Sequence, residues 1–308
     1  MNWFSTDECY NLFKSLPFLE AFEFEVKRDG ELKGKIVGYI QKDGGKLKQF
    51  FSRRAIINGG PYLAEDITDA EVAKLLKKCK SGLKGKCIYI ETRNFEDYSK
   101  YKDVFKSIEF DYEPHYNFKI DTSSIEIVKG HLGKSRKRDI RTSFRDGAEI
   151  VEAQNINEVK ELYLLLQDLY KTKVKTPLFP FAFFEQLFHS KFGKILLVKS
   201  DGIILGGTVL VCGFDTVYEW FVCGLESNDG GIYPSTLATY GGIQHAAEHG
   251  HKCFDMMGAG APNDGGYGVR DFKAKFGGEL VEYGRFKCIL NKPLYYLGVL
   301  GVKILKKI

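Results

Sequence analysis

Gly193-Lys194-Ile195-Leu196-Leu197-Val198 runs to a turn at Asp201-Gly202 and resumes as an apolar stretch from Gly206 to Val211. Two apolar runs separated by an Asp-Gly pair predict a β-hairpin. Val217-Tyr218-Glu219-Trp220-Phe221-Val222 predicts a third strand, after which Gly230-Gly231 and Pro234 break the pattern. A helix follows from about Ser235 to His249, stopped by Gly250, because glycine adopts the left-handed conformation that ends helices. Lys252-Cys253-Phe254-Asp255-Met256-Met257 is a buried strand, and Asp271-Phe272-Lys273-Ala274-Lys275-Phe276-Gly277-Gly278 a turn. A last strand runs from Tyr283 to Ile289. Hairpin, strand, helix and strand in this order specify an α/β (α+β) unit, with a mixed, mainly antiparallel sheet flanked by helices.

The first half reads the same way. Gly34-Lys35-Ile36-Val37-Gly38-Tyr39-Ile40 is a strand, Asp43-Gly44-Gly45 a turn, and a second strand runs from Phe50 to Ile57. Thr68 or Asp69 then caps a helix through Leu76, with Glu71 placed to complete a capping box. Gly85 precedes the strand Cys87-Ile88-Tyr89-Ile90, and Val104 to Phe110 leads into a strand through Tyr116-Asn117-Phe118. The chain is thus a repeat of about 130 residues per copy. Between the copies lie a basic helix over 130–146 and a helix from Asn157 to Lys171. The expected division is residues 1–145 with the basic linker helix, residues 146–291, and a tail at 292–308.

With 308 residues, 44% hydrophobic and 28% charged, the chain excludes disorder, collagen and coiled coil and can bury two cores. Met1 to Glu8 show no basic stretch followed by an apolar run, and no segment reaches membrane-spanning length. The seven cysteines form no C-x-x-C pair, against a zinc ribbon or a disulfide framework. A cytoplasmic protein is expected, with no metal. His245-Ala246-Ala247-Glu248-His249 matches a zinc-peptidase pattern, but Gly250 and a buried strand follow where a further ligand-bearing helix is needed.

Basicity is concentrated in two places. Residues 134–145 carry Lys134, Arg136, Lys137, Arg138, Arg141 and Arg145 against Asp139 alone, and residues 292–308 carry four lysines and no acid. Such patches suit an anionic partner: phosphate, nucleic acid or lipid head group. The tail, apolar from Leu294 to Val302, fits an anchor lying at the inner face of a membrane, or a terminal helix packed on the body.

Five elements in order resemble the FemABX family of peptidoglycan-bridge aminoacyltransferases and related acyltransferases of the GNAT superfamily. They are Ser52-Arg53-Arg54 with Gly60-Pro61, and Leu132-Gly133-Lys134-Ser135-Arg136-Lys137-Arg138-Asp139-Ile140-Arg141 followed by Gly147-Ala148-Glu149-Ile150. Next come Pro234-Ser235-Thr236-Leu237 through Gly250, Phe254-Asp255-Met256-Met257-Gly258, and Phe272-Lys273-x-x-Phe276-Gly277. The resemblance implies two tandem GNAT-like domains. With no heptad run in the sequence, there is no coiled-coil arm.

It also implies acyl transfer, with Lys273 holding positive charge near the reacting carbonyl or donor phosphate. Phe272 and Phe276 pack around Lys273. Asp255 and Glu219 beside Trp220 are the candidate proton acceptors, with Asp255 equally suited to satisfying backbone N–H groups of the glycine loop. Arg53, Arg54, Lys175 and Tyr218 are expected to contact an anionic acceptor. The glycine-rich run from Gly258 to Gly268 reads as a lid or an ordinary loop. Acyl-CoA enzymes of the superfamily hold pyrophosphate on a glycine turn beginning with Arg or Gln. Here that place reads Asn228-Asp229-Gly230-Gly231-Ile232-Tyr233-Pro234-Ser235, with no such cation. The implied donor is therefore aminoacyl-tRNA, its phosphates met by Arg136, Arg138 and Arg141, with no bound cofactor. The implied acceptor is an anionic, lipid-linked or soluble cell-wall precursor. An acyl-CoA N-acyltransferase acting on an amino sugar or small amine is the alternative. A non-catalytic protein binding precursor or tRNA is the third.

Overall fold

The computed structural model describes residues 2–42, 52–225, 231–264 and 268–305. The first strands are β1 (Leu19–Arg28), β2 (Glu31–Gln41), β3 (Arg54–Gly59), β4 (Tyr62–Leu63), β5 (Tyr89–Asn94) and β6 (Asp111–Glu113). There follow β7 (Tyr116–Asp121), β8 (Ala148–Glu152), β9 (Gly193–Ser200), β10 (Ile203–Cys212) and β11 (Thr216–Gly224). Last come β12 (Cys253–Asp255), β13 (Glu279–Glu282) and β14 (Arg285–Ile289).

These strands make two mixed, mainly antiparallel sheets in two compact units, residues 1–115 with 282–308 and residues 116–281. In the first unit the order is β1-β2-β3-β5-β14-β6, with β4 on β2. The helix Asp69–Leu83 covers this sheet, burying Val72, Leu75, Leu76, Cys79 and Leu83 against Ile36, Ile57 and Ile90. Thr68 caps it in the expected capping box, its hydroxyl accepting from Glu71 N–H while Glu71 accepts from Thr68 N–H.

The second unit has the order β13-β7-β12-β11-β10-β9-β8. Its central helix, Pro234–Glu248, packs Leu237, Ala238, Ile243 and Ala246 onto Leu210, Val217 and Phe254. No helix among the described residues exceeds the 15 of Asp69–Leu83 and Pro234–Glu248, so no coiled-coil arm projects.

The expected boundary at residue 145 is corrected by strand exchange. β7, read as the close of the first copy, pairs with β12 in the second sheet; β14, read as the close of the second, pairs with β5 and β6 in the first. Register between strands so distant in sequence is a tertiary property that local pattern does not encode. The basic segment is two helices, Ile125–His131 and Lys134–Arg145, and both belong to the second unit.

Candidate active site

The sheet of the second unit parts at one place. β11 and β12 run parallel and pair at Thr216–Cys253, Val217–Phe254 and Tyr218–Asp255, where β12 ends. Immediately beyond, β11 changes register against β10: Leu210 faces Glu219, Val209 faces Phe221, and Trp220 is the extra residue. Such a bulge twists a strand and re-aims its side chains. Glu219 therefore sits between the end of the β12 pairing and the bulge.

On the β12 side the ladder gives way to side chains. Phe118 N–H donates to the side-chain Oδ1 of Asn117 at 2.8 Å, and Gly258 N–H donates to the same oxygen at 2.8 Å. Asn117 Nδ2 donates to Asp255 Oδ1 at 2.7 Å, which also accepts from Met257 N–H at 2.8 Å. The chain turns through Met257 at φ 52° and Gly258 at φ 111°; a methionine in the left-handed region is backbone strain of the kind found at functional sites. Lys273, from the helix Gly268–Ala274, donates from Nζ to the carbonyl of Gly258 at 2.7 Å and to that of Met256. The expected Phe-Lys turn is this short helix, stopped at Gly277, whose φ is 82°. A Cβ there would lie 2.1 Å from the carbonyl oxygen of His131, so only glycine fits.

Three ionisable groups are thereby buried around the opening: Glu219 (4% exposed), Asp255 (0%) and Lys273 (8%). Burial pushes the Glu219 carboxyl up to about 7, against the opposing pull of Lys273 and the hydroxyls of Thr239 and Thr208. Burial likewise raises Asp255, opposed by its bond from Asn117. It lowers the Lys273 ammonium, against the pull of Glu219 and Asp255. Two acids and one amine in a low dielectric favour one ionised carboxyl, with the second proton retained to near neutrality. Glu219 Oε1 and Asp255 Oδ2 are buried without hydrogen-bond partners among the described residues. A buried acceptor left open is costly unless a donor arrives.

Arg136 departs from the expected role of phosphate contact. On Lys134–Arg145 the inward residues are Arg136, Asp139, Ile140 and Ser143, spaced as one helical face. The Arg136 guanidinium lies 4.4 Å from the centre of the Phe272 ring and 4.9 Å from that of Phe276, and donates to the Phe272 carbonyl at 3.3 Å. It braces the segment that carries Lys273. Arg138 bonds Asp139 at 3.0 Å with its side chain 67% exposed, and Arg141 is exposed on the outer face. Ser143 accepts from Tyr233 N–H at 2.9 Å, docking this helix beside the start of Pro234–Glu248.

Tyr218 is buried in register with Asp255. Lys175 is exposed, in a left-handed conformation (φ 55°) that ends a π-helical turn over Tyr170–Val174, and does not join the Glu219–Lys273 group. Arg53 and Arg54, at the start of β3, belong to the first unit. Sequence reasoning missed Asn117, and also Arg270, which donates to the carbonyls of Ala259 (3.0 Å) and Ala261 (2.5 Å) and pins the loop expected to be a lid. A lone Asn at a strand start and an Arg beside a glycine run carry no local signal. Residues 226–230 and 265–267, part of the expected donor turn and lid, lie outside the described residues. The His245 and His249 rings lie with centres 4.0 Å apart, tilted by 30°, and burial lowers His245 to about 4. No group of three metal-ligating side chains occurs among the described residues.

Residues 134–274 match the acetyltransferase (GNAT) domain family. The match falls within the second unit, whose fold is GNAT-like. The chain as a whole has the fold of FemX, with 16% identity, 96% of this chain and 94% of that one covered, and a TM-score of 0.71. It is also similar to the C-terminal domain of a putative lysylphosphatidylglycerol synthetase from Agrobacterium fabrum (14% identity, 98% and 95% covered, TM-score 0.63). A tandem GNAT protein from the clavulanic acid biosynthesis pathway is similar too (9% identity, 90% and 85% covered, TM-score 0.55). No curated protein matches in sequence.

Proposed function

We propose that the chain transfers an aminoacyl group from aminoacyl-tRNA to the amine of a cell-wall precursor peptide. The observation that carries acyl transfer is the buried Glu219, beside Lys273, at the point where β11 and β12 part. The FemX-like fold over the whole chain and the family resemblance of Phe272-Lys273-x-x-Phe276-Gly277 support the aminoacyl donor and the precursor acceptor. The exposed Lys134, Lys137, Arg138, Arg141 and Arg145, on a helix docked beside the start of Pro234–Glu248, suit a donor rich in phosphate.

The amine nitrogen attacks the ester carbonyl carbon of the donor and a C–N bond forms. Glu219, ionised in a substantial fraction at neutral pH, takes the proton the nitrogen must lose. Collapse of the tetrahedral intermediate breaks the ester C–O bond, and the departing ribose oxygen takes the proton that Glu219 accepted. Lys273 commits two of its three N–H donors to the Met256 and Gly258 carbonyls. Its part is to fix that loop and to set positive charge beside the developing oxyanion. Asp255 holds Asn117 and Met257 N–H, and so acts as a positioning residue.

A second reading, acyl-CoA-dependent transfer to an amino sugar or small amine, is favoured by the family model that matches residues 134–274. Calorimetric titration with acetyl-CoA and CoA, followed by an assay with charged tRNA and precursor peptide, separates the two. Transfer from charged tRNA with no CoA binding is expected. CoA binding in the micromolar range with no transfer from tRNA establishes the second reading.

A further inference from the structure

We propose that the helix Lys292–Leu305 is an interfacial anchor that lays the protein on an anionic lipid surface. Asn291 starts it, its Oδ1 accepting from Leu294 N–H at 3.1 Å and its carbonyl from Tyr295 N–H at 3.0 Å. One side is fixed to the first unit: Leu294 and Tyr295 are half-buried, and the Tyr295 ring meets Tyr89 of β5 edge-on at 5.5 Å. The other side faces out. Tyr296 is 62% exposed, Leu297 56%, Val299 37% and Leu300 55%.

Single exposed leucines are common on folded proteins; four large apolar side chains within five positions form a patch that needs a partner. Charge selects the partner. Residues 292–308 carry Lys292, Lys303, Lys306 and Lys307 and no Asp or Glu. An apolar face accompanied only by cations matches a bilayer surface with anionic head groups, where each lysine adds attraction and the apolar side chains enter the acyl boundary. A protein partner of ordinary composition would be met by some acidic groups on this segment.

At 1.5 Å per residue the helix Lys292–Leu305 is about 21 Å long, short of the roughly 30 Å hydrocarbon core. No described helix is long and apolar enough to cross a membrane. Tyr296 at the outward surface is the type of residue that settles at the head-group level.

The test is flotation of the full chain with vesicles of phosphatidylcholine alone and of phosphatidylcholine mixed with phosphatidylglycerol, at low and high salt. The expected result is binding to the anionic vesicles that weakens with salt, and at most weak binding to the neutral ones. Leu297→Glu with Leu300→Glu should lower partitioning by roughly a hundredfold, from about tenfold per leucine removed from the acyl boundary. Lys306→Gln with Lys307→Gln should weaken anionic binding by roughly tenfold or more and leave neutral vesicles unaffected. Leu297 and Leu300 are exposed, so the unfolding temperature of their double variant should match wild type, which separates lost docking from lost fold. Failure of the full chain to float with anionic vesicles overturns the proposal. So does flotation of the Leu297→Glu, Leu300→Glu variant equal to wild type. Concentration-dependent dimerisation abolished by that variant, without lipid binding, would assign the face to a second copy instead.

Discussion

Each unit carries one parallel strand pair in its sheet, and the two pairs differ. In the first, the parallel strands β3 and β5 pair over six residues, from Arg54–Tyr89 to Gly59–Asn94; in the second, β11 and β12 pair over three and part after Tyr218 and Asp255. Each place buries a glutamate to the same degree, Glu91 at 7% exposure and Glu219 at 4%. Burial pushes both carboxyls up. For Glu91 the guanidiniums of Arg93 (2.9 Å) and Arg285 (3.4 Å) reverse the effect and hold it below its ordinary value. Among the described residues Glu219 has no cation within ion-pair distance, and it rises to about 7. A closed seam with a neutralised acid suits a structural role, whereas a parted seam with an acid raised toward neutrality suits the proton transfer proposed above.

The largest expected effect comes from Glu219→Gln, which keeps shape and removes the proton acceptor. Transfer should fall by about a thousandfold, with the rise in rate through pH 7 abolished in a kcat/KM profile. Stability gives a second readout of the same residue. Because its folded pKa of about 7 lies above the ordinary 4.5, the folded state holds the extra proton between those values. Glu219 therefore lowers stability as pH rises from about 4.5 to about 7 and adds no slope above that. Thermal unfolding across this window should show a decline in wild type that is shallower in Glu219→Gln. Asp255, also raised, contributes in the same direction.

Glu91→Gln is the opposite case. It leaves the partly exposed Arg93 and Arg285 less neutralised and should cost about 1 kcal/mol of stability by denaturant unfolding. Transfer per folded molecule should stay within about threefold of wild type, since Arg93 and Arg285 hold Glu91 as a neutralised carboxylate. A loss of activity as deep as that of Glu219→Gln would break the contrast between the units. Lys273→Met should lower transfer by about a hundredfold with a modest drop in unfolding temperature, because it removes the charge and leaves two carbonyls without a donor. Smaller effects divide the basic helix into its two faces. Arg136→Met should lower stability by about 1–2 kcal/mol through the lost ring contacts and carbonyl bond. Arg141→Ala should leave stability alone and weaken tRNA binding, lowering its salt slope by about one.

Much of this was legible in the chain. The β9–β10 hairpin and the helices Asp69–Leu83 and Pro234–Glu248 followed from apolar runs punctuated by Asp201-Gly202, Thr68 and Gly250, because those signals are local. Lys273 and Asp255 came from motif resemblance, and Glu219 from being an acid in an apolar strand. The parting of β11 from β12 was not legible, since it depends on Asn117 arriving from β7, more than a hundred residues away in sequence. The inward turn of Arg136 was hidden because an arginine in a basic run looks the same whether its face meets solvent or Phe272. The exchange of β7 and β14 between the sheets was hidden for the same reason: it is set by pairing partners.

The most direct measurement is transfer by wild type, Glu219→Gln and Glu91→Gln side by side, with charged tRNA and precursor peptide and with acetyl-CoA and amine acceptors. Each protein's folded fraction is to be fixed by its unfolding curve. Loss of transfer of about a thousandfold in Glu219→Gln alone, with Glu91→Gln near wild type despite its lower stability, is the expected result. Wild-type rates in Glu219→Gln would contradict the assignment of the parted seam as the place where the proton moves.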